Sequence, residues 1–496
     1  MKKFLLLACF IAVSAAYSQT TTKLSVSESE EYKDEVKAKD ILAIHTTNSG
    51  LTGIIRDSKR DFLFDVFDTG LNKVFNMVVE SDRNETFVGE LFSGEEMKFF
   101  TVDSPKKTER IIYCHIFNLA QKSVKKVKLF ETTVEKKQAL FSGGNKRETS
   151  FAISPSGNYF AVTTDNSKKH ANAYTIRVFD ASNLSLLFEK VYQEHEERYY
   201  EHNDLSIDDE ANVYALGKLF VKGRSQKKDG EANYEFVLNK ISKSDMKAIS
   251  IGMDEEHIQS LNISVTENQL NLLGFYSEER AGRIKGGCNF TIDKKELAIT
   301  SKKHQDLPIA VYEDLYGDKR ADRKKDKELT SFYVDYVLTD DDDNTYMLAE
   351  EFYITTTYVS MGMNGGHIQT VNHYDDVLVF KFDNSGNLAW GRSIFKRATA
   401  PSYNAFVKNN QLHVILNSGK NLLEKNDGRT KVSKGFLESS SLYDIVYSAD
   451  GDVSYDKIQD NKGNTDYVPF FGTFETGTFI MSSAGGGRNN QFMILK

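Results

Sequence analysis

One pattern recurs along the whole chain: an alternating apolar run, an Asp-type turn, and a second alternating run. It reads Phe64-Asp65-Val66-Phe67-Asp68, then Tyr113-Cys114-His115-Ile116-Phe117-Asn118, then Ile176-Arg177-Val178-Phe179-Asp180. Further copies stand at residues 237–242, 288–293, 377–383 and 444–448. An eighth, at 490–496, has no partner strand after it. Aligned on Asp68, Asn118, Asp180, Ser242, Asp293, Asp383 and Ser448, the copies lie 50, 62, 62, 51, 90 and 65 residues apart. Four short strands with their turns fit such a unit, and repeats of this kind predict a β-propeller. A last unit short of its outer strand predicts ring closure by an N-terminal strand. Residues 22–26 are the best candidate, and pairing them there covers an edge that invites association.

The fold class is all-β. Residues 151–162 show two apolar strands around a Pro-Ser-Gly-Asn turn, where Pro and Gly supply backbone angles that other residues resist. Residues 383–387 and 449–452 do the same in later units. Only 5 prolines occur, as suits a chain made of paired strands. The units fall at 40–80, 85–134, 149–193, 200–252, 256–304, 332–397, 402–459 and 466–496. That makes eight blades; seven is the alternative if residues 41–44 are themselves the closing strand. The last unit is read as strands at 467–471, 478–482 and 491–495. The long interval holds an insertion at 305–331, a charged inter-blade loop with a short helix. Its apolar residues are few (Leu307, Ile309, Val311, Tyr312, Leu315), so replacing 317–328 by a linker is expected to leave the fold intact.

Two segments carry a family likeness. Residues 377–390, Val-Leu-Val-Phe-Lys-Phe-Asp-Asn-Ser-Gly-Asn-Leu-Ala-Trp, resemble a unit of the bacterial SBBP β-propeller repeat. Residues 151–162 are similar to the strand–turn–strand of TolB-type and WD40 propellers. Each likeness covers one blade or less and implies the fold without an activity. As a whole the chain resembles the exported propellers common in Bacteroidota.

The N-terminus predicts export. Lys2 and Lys3 precede an apolar run at 4–16 that is too short to span a bilayer, and Ala16-Tyr17-Ser18 places cleavage before Gln19. Residues 1–18 are thus a signal peptide, 19–39 an N-terminal segment with the closing strand, and 40–496 the propeller. The protein is expected in the periplasm or outside the cell. A competing reading takes Leu6-Leu7-Ala8-Cys9 as a lipobox with Cys9 lipid-anchored; the short apolar run before Cys9 and its continuation afterwards argue against it. Loss of Lys2 and Lys3 moves the formal charge from -8 to -10, which disfavours nucleic acid as a partner. No other apolar run reaches the ~20 residues of a transmembrane helix. Cys114 and Cys288 fall in different blades, so no disulfide is expected, and a monomer stabilised by its core is.

Catalytic signatures are missing: no Gly-x-Ser-x-Gly, His-Glu-x-x-His, Cys-x-x-Cys or P-loop occurs. Residues 383–390 are similar to a sialidase Asp-box, but the Gly stands one residue further from the Asp. His195 and His202, in the ionisable stretch 194–204, are binding candidates, since imidazole and carboxylate can hold zinc or manganese or touch a ligand at the rim. The competing reading is a solvated loop between blades. His367 ends a Gly- and Met-rich hairpin tip at 361–367 that is either a ligand contact or a plain loop. Asp340 and Asp342, in Asp-Asp-Asp-Asp-Asn, are calcium candidates or turn formers. No other cofactor is expected. Residues 484–488 form a hairpin turn and no phosphate cradle.

The composition and pattern point to a non-catalytic scaffold that binds a protein or a glycan at the mouth of the channel. The alternative is a polysaccharide hydrolase or lyase, which needs carboxylates at a defined separation. Asp204, Asp335 and Asp466 lie in or just before inner strands and are its catalytic candidates.

Overall fold

The alternating runs become strands because period-2 patterning gives each strand one face for each neighbouring blade. The computed structural model describes residues 23–496 apart from 39, 59–60, 83, 107, 135–148, 166–171, 196–197, 229–230, 267–268, 279–281, 361–365, 425, 428, 433–437 and 485–487. The residues read as a signal peptide, the lipobox Cys9 and the expected cleavage before Gln19 lie outside the described residues.

Eight four-stranded antiparallel sheets follow one another, the first seven built in chain order from inner to outer strand. The inner strands are Ile41–Thr46, Thr86–Ser93, Ser150–Ile153, Tyr200–Ile207, His257–Val265, Phe332–Thr339, Tyr403–Lys408 and Thr473–Glu475. From blade 8 through blade 7, each touches the inner strand of the next, so together they line a central channel. This is an eight-bladed β-propeller. Residues 41–46 pair with Thr52–Asp57 inside blade 1 and do not close the ring, which removes the seven-blade alternative.

The apolar faces meet between blades. Eight separate clusters of buried side chains lie one per interface, such as Phe64, Phe99 and Phe117 between blades 1 and 2. Ile54, Phe67, Phe492 and Ile494 lie between blades 1 and 8. Cys114 and Cys288 are buried free thiols. Among the described residues no helix is long and apolar enough to cross a membrane.

The N-terminal segment closes the ring as the outer strand of blade 8. Val26–Glu28 runs antiparallel to Phe492–Leu495 in the register Val26↔Leu495, Ser27↔Ile494, Glu28↔Met493. Ser25 and Lys496 exchange both backbone bonds, at 2.7 and 3.0 Å. The strand lies slightly later than residues 22–26, and its apolar contribution differs from expectation. Leu24 packs on the cluster between blades 7 and 8, whereas Val26 is 47% exposed. Blade 8 also begins later than expected: its inner strand is Thr473–Glu475, while Pro469–Phe471 forms a 3₁₀ turn that Pro469 initiates.

A second grip follows at once. Tyr32–Lys33 pairs with Asn489–Asn490, and Asp34 enters a fully buried ionic group. Arg56 donates to both Asp34 oxygens at 2.8 and 2.9 Å and to Asp65 Oδ2 at 3.1 Å through Nε. Lys73 lies 3.5 Å from each carboxylate. Two cations thus face two anions, the balance that buried charge requires.

The segment between blades 5 and 6 forms two helices, Ile309–Tyr316 and Asp318–Lys324. They do not lie free on the surface. Leu307, Val311, Tyr312, Leu315, Ala321 and Leu329 are buried in the cluster between blades 5 and 6.

Candidate functional site

Because strands alternate in direction, the second-to-third turns and the links between blades share one face of the ring. Blade 6 extends on that face. Its second and third strands, Thr345–Ser360 and Gly366–Phe382, run 16 and 17 residues, while the inner and outer strands beside them have 8 and 7. Pairing continues as a two-stranded ribbon from Phe352↔Tyr374 to Ser360↔Gly366. Tyr333 and Ile354, near its base, are 60% and 56% exposed.

The root of this ribbon holds an ionic cluster. Glu350 and Phe352 flank a bulge in which Glu351 faces Asp375 and Asp376 of the partner strand, and Lys396 and Arg397 follow the outer strand. Lys396 Nζ donates to Glu350 Oε1 at 2.5 Å and to Ser402 Oγ at 3.0 Å. Arg397 reaches Asp375 at 2.8 Å and Asp376 at 3.0 Å, and Tyr353 donates to Asp375 at 2.7 Å. Burial pushes the Asp376 carboxyl up to about 7 against the opposing pull of Arg397. Sequence reading missed this cluster. Its signal was two acidic doublets on facing strands with a Lys-Arg pair just beyond.

The channel wall carries Asp204 and Asp335, each on an inner strand. Asp204 accepts the backbone N–H groups of Leu205 at 2.8 Å and of Ile263, on the next blade, at 2.7 Å. Burial nevertheless pushes its carboxyl up to about 6. Asp335 accepts the Tyr403 hydroxyl at 2.7 Å; burial raises its carboxyl, while Tyr403 and Lys396 oppose the shift. Asp466 sits on the connection into blade 8, in a hollow with Glu31, Asn489 and Gln491. The three belong to blades 4, 6 and 8, and no contact among the described residues brings any two together.

Two carboxyls that the sequence did not single out do influence each other. Glu90, on the inner strand of blade 2, is pushed up to about 7 by burial and by the charge of Glu475 on blade 8. Burial raises Glu475 as well. Glu90 was legible as an acidic residue in mid-strand, whereas Glu475 ends the strand Thr473–Glu475, which the sequence had placed at 467–471.

The remaining candidates are placed as follows. His202 lies between blades 3 and 4, its Nδ1 3.4 Å from the Tyr192 hydroxyl, and burial lowers its pKa to about 4. Its half-buried ring packs on Tyr174, with centroids 5.6 Å apart. His195 ends the outer strand of blade 3, and His367 pairs with Val359 in the ribbon; their side chains lie outside the described residues. Asp340 caps a turn: its Oδ1 accepts the N–H groups of Asp342 and Asn344, and Asn344 Nδ2 donates to both of its oxygens. The same Asp-x-x-x-Asn device recurs at Asp68, Asp208 and Asp383. Asp342 Oδ2 accepts Asn410 Nδ2 at 2.7 Å. The Asp340 carboxylate is thus engaged by its own turn and that of Asp342 by blade 7. Among the described residues no three His, Cys, Asp or Glu side chains are grouped to hold a metal ion.

No family model and no curated protein matches the chain. Solved structures are similar to it in fold. The WD40 domain of SCAP from fission yeast has 9% identity and a TM-score of 0.39, with 96% of each chain covered. An oligogalacturonate lyase from Vibrio parahaemolyticus has 9% identity and a TM-score of 0.41 over 92% of this chain and 98% of that one. A prolyl endopeptidase has 10% identity and a TM-score of 0.36 over 83% of this chain; the chain spans only 46% of its length.

Proposed function

We propose that this is an exported propeller that binds a protein or a glycan on the face from which the blade 6 ribbon rises. The observation that carries this reading is the ribbon itself: a long hairpin with exposed Tyr333 and Ile354 near its base, rooted in a buried ionic cluster. A binding element held at its base by interlocked charges is pre-organised, which lowers the ordering cost of association. The carboxylates Asp204 and Asp335 are occupied by backbone N–H and hydroxyl donors, which supports a structural role for them.

A second reading, polysaccharide hydrolysis or lysis in the channel, is favoured by Glu90, whose carboxyl burial and the charge of Glu475 push up to about 7, since such chemistry uses one carboxyl held protonated. One experiment separates the two. The mature protein is incubated with an array of neutral and acidic polysaccharides and with exported proteins of its host, scoring retention and release of shortened chains. The binding reading expects retention without release, abolished when residues 354–372 are replaced by Asn-Gly and unaffected by Glu90→Gln. Release that Glu90→Gln abolishes overturns it in favour of the enzyme.

A further inference from the structure

Blades 5 and 6 enclose a cleft of ≈ 300 Å³ away from the ribbon, towards the opposite face. One wall is formed by the third and outer strands of blade 5, Gly286–Asp293 and Ala298–Asp306. Phe382, Leu388 and the 383–387 turn of blade 6 form the other. Pairing sets Asn289 opposite Lys303 and Gly287 opposite Gln305, so all four share the face that looks into the cleft. Two positions let the walls approach closely because they carry no side chain. A Cβ on Gly287 would lie 2.9 Å from the Phe382 ring, and one on Gly386, at φ +82, would collide with the Asn289 amide.

Asn289 is the anomaly. It is 1% exposed, and neither its Nδ2 nor its Oδ1 has a hydrogen-bond partner among the described residues. A carboxamide offers two donors and an acceptor, and buried groups of this kind are almost always satisfied. Over it, Lys303 Nζ reaches across the cleft to the Ser385 carbonyl at 2.6 Å, a surface bond that exchanges readily. Lys302 and His304 line the rim, but alternation turns their side chains to the other face, towards Asp254 at 3.8 Å and Glu256 at 3.7 Å. Among the described residues no Asp or Glu lines the cleft.

We propose that this cleft binds one acidic sugar unit, with Lys303 leaving Ser385 to take the carboxylate while Asn289 and Gln305 take ring hydroxyls. A single cation matches a single negative charge. Neutral amides that both donate and accept match hydroxyls, which do the same. The volume sits at the small end of the roughly 300–1,000 Å³ of ligand sites, which limits the occupant to about one ring.

The test is calorimetric titration of the full mature chain with D-glucuronate, with D-glucose and sulfate as separate probes for hydroxyls without charge and charge without hydroxyls. Glucuronate is expected to bind more tightly than either. Lys303→Ala and Asn289→Ala should each weaken it by roughly tenfold, the scale of a lost charged or buried hydrogen bond. Lys302→Ala should leave binding unchanged. Lys303 is partly exposed, so its variant keeps the fold, which a thermal melt verifies. Absence of glucuronate binding overturns the proposal. So does equal binding of glucose or sulfate, or full affinity in a folded Lys303→Ala protein.

Discussion

Glu85 precedes the inner strand of blade 2 and Glu90 lies within it, and the ring treats them in opposite ways. Glu90 is pushed up to about 7, so the folded state holds its proton more tightly than the unfolded chain does. That contribution to stability is complete below the ordinary glutamate pKa of 4.5 and is lost as pH rises through about 7. Glu90→Gln is therefore expected to raise stability at pH 8 by on the order of 2 kcal/mol after discounting for solvent, seen as a higher melting temperature, and to leave it unchanged at pH 4. Melts at the two pH values check this. Glu85 is held at about 2, because hydrogen bonds from His115, Lys126 and Thr101 outweigh its burial. Its contribution is present above pH 4.5 and disappears as pH falls towards 2. Alternation alone put Asp204 and Asp335 on inner strands, and both are there. It could not supply Ile263 or Tyr403, which come from neighbouring blades 59 and 68 residues away. Nor could it show that Glu90 and Glu475, at opposite ends of the chain, influence each other.

At the scale of elements, the inter-blade helices show how a pattern is recognised and its role misjudged. The interrupted alternation marked the segment, but the charges around Ala321 concealed the one residue of the second helix that is buried. The helix pair is fastened to blade 6 by Asp314, which accepts Arg392 through both oxygens at 2.8 and 3.0 Å and the Ser393 N–H at 3.0 Å. Asp318 donates its N–H to the Asp427 carbonyl of blade 7 at 3.1 Å. Replacing residues 309–328 with a Gly/Ser linker should lower stability by on the order of 5 kcal/mol, since Val311, Tyr312, Leu315 and Ala321 all leave the core together. Urea unfolding measures it; a midpoint equal to that of the intact chain would restore the view of a dispensable excursion. Replacing only the charged residues 322–328 should matter far less, because Leu329 and the first helix remain.

The whole molecule is a ring of eight interfaces, so its stability is shared among eight wedges and depends on the ring staying shut. Closure rests on the Val26–Glu28 ladder, on Leu24, and on the Asp34–Arg56 group, which ties the N-terminal segment to both blade 8 and blade 1. Deleting residues 23–34 removes all three and leaves Arg56 buried beside Asp65 without its second anion. The expected outcome is a loss of about 3–5 kcal/mol or more, with blade 8 exchanging its amide hydrogens ahead of the other blades. Hydrogen exchange followed by mass spectrometry reads this directly. Uniform protection in the shortened chain would place the lock elsewhere. The truncated last repeat made closure legible in outline; the ionic lock was not, because Asp34, Arg56, Asp65 and Asn490 share no local pattern.

The ladder that shuts the ring also sets a timetable. Its end residues, Ser25 and Lys496, are 471 positions apart, so the first strand to leave the ribosome is the last to find its place. Blades 1 to 7 can each assemble from neighbouring hairpins as they emerge, because their pairings are local. The N-terminal strand has to wait, unpaired, through almost the whole of synthesis. During that interval the protein is an open row of blades, and it becomes a ring only when Val26–Glu28 meets Phe492–Leu495.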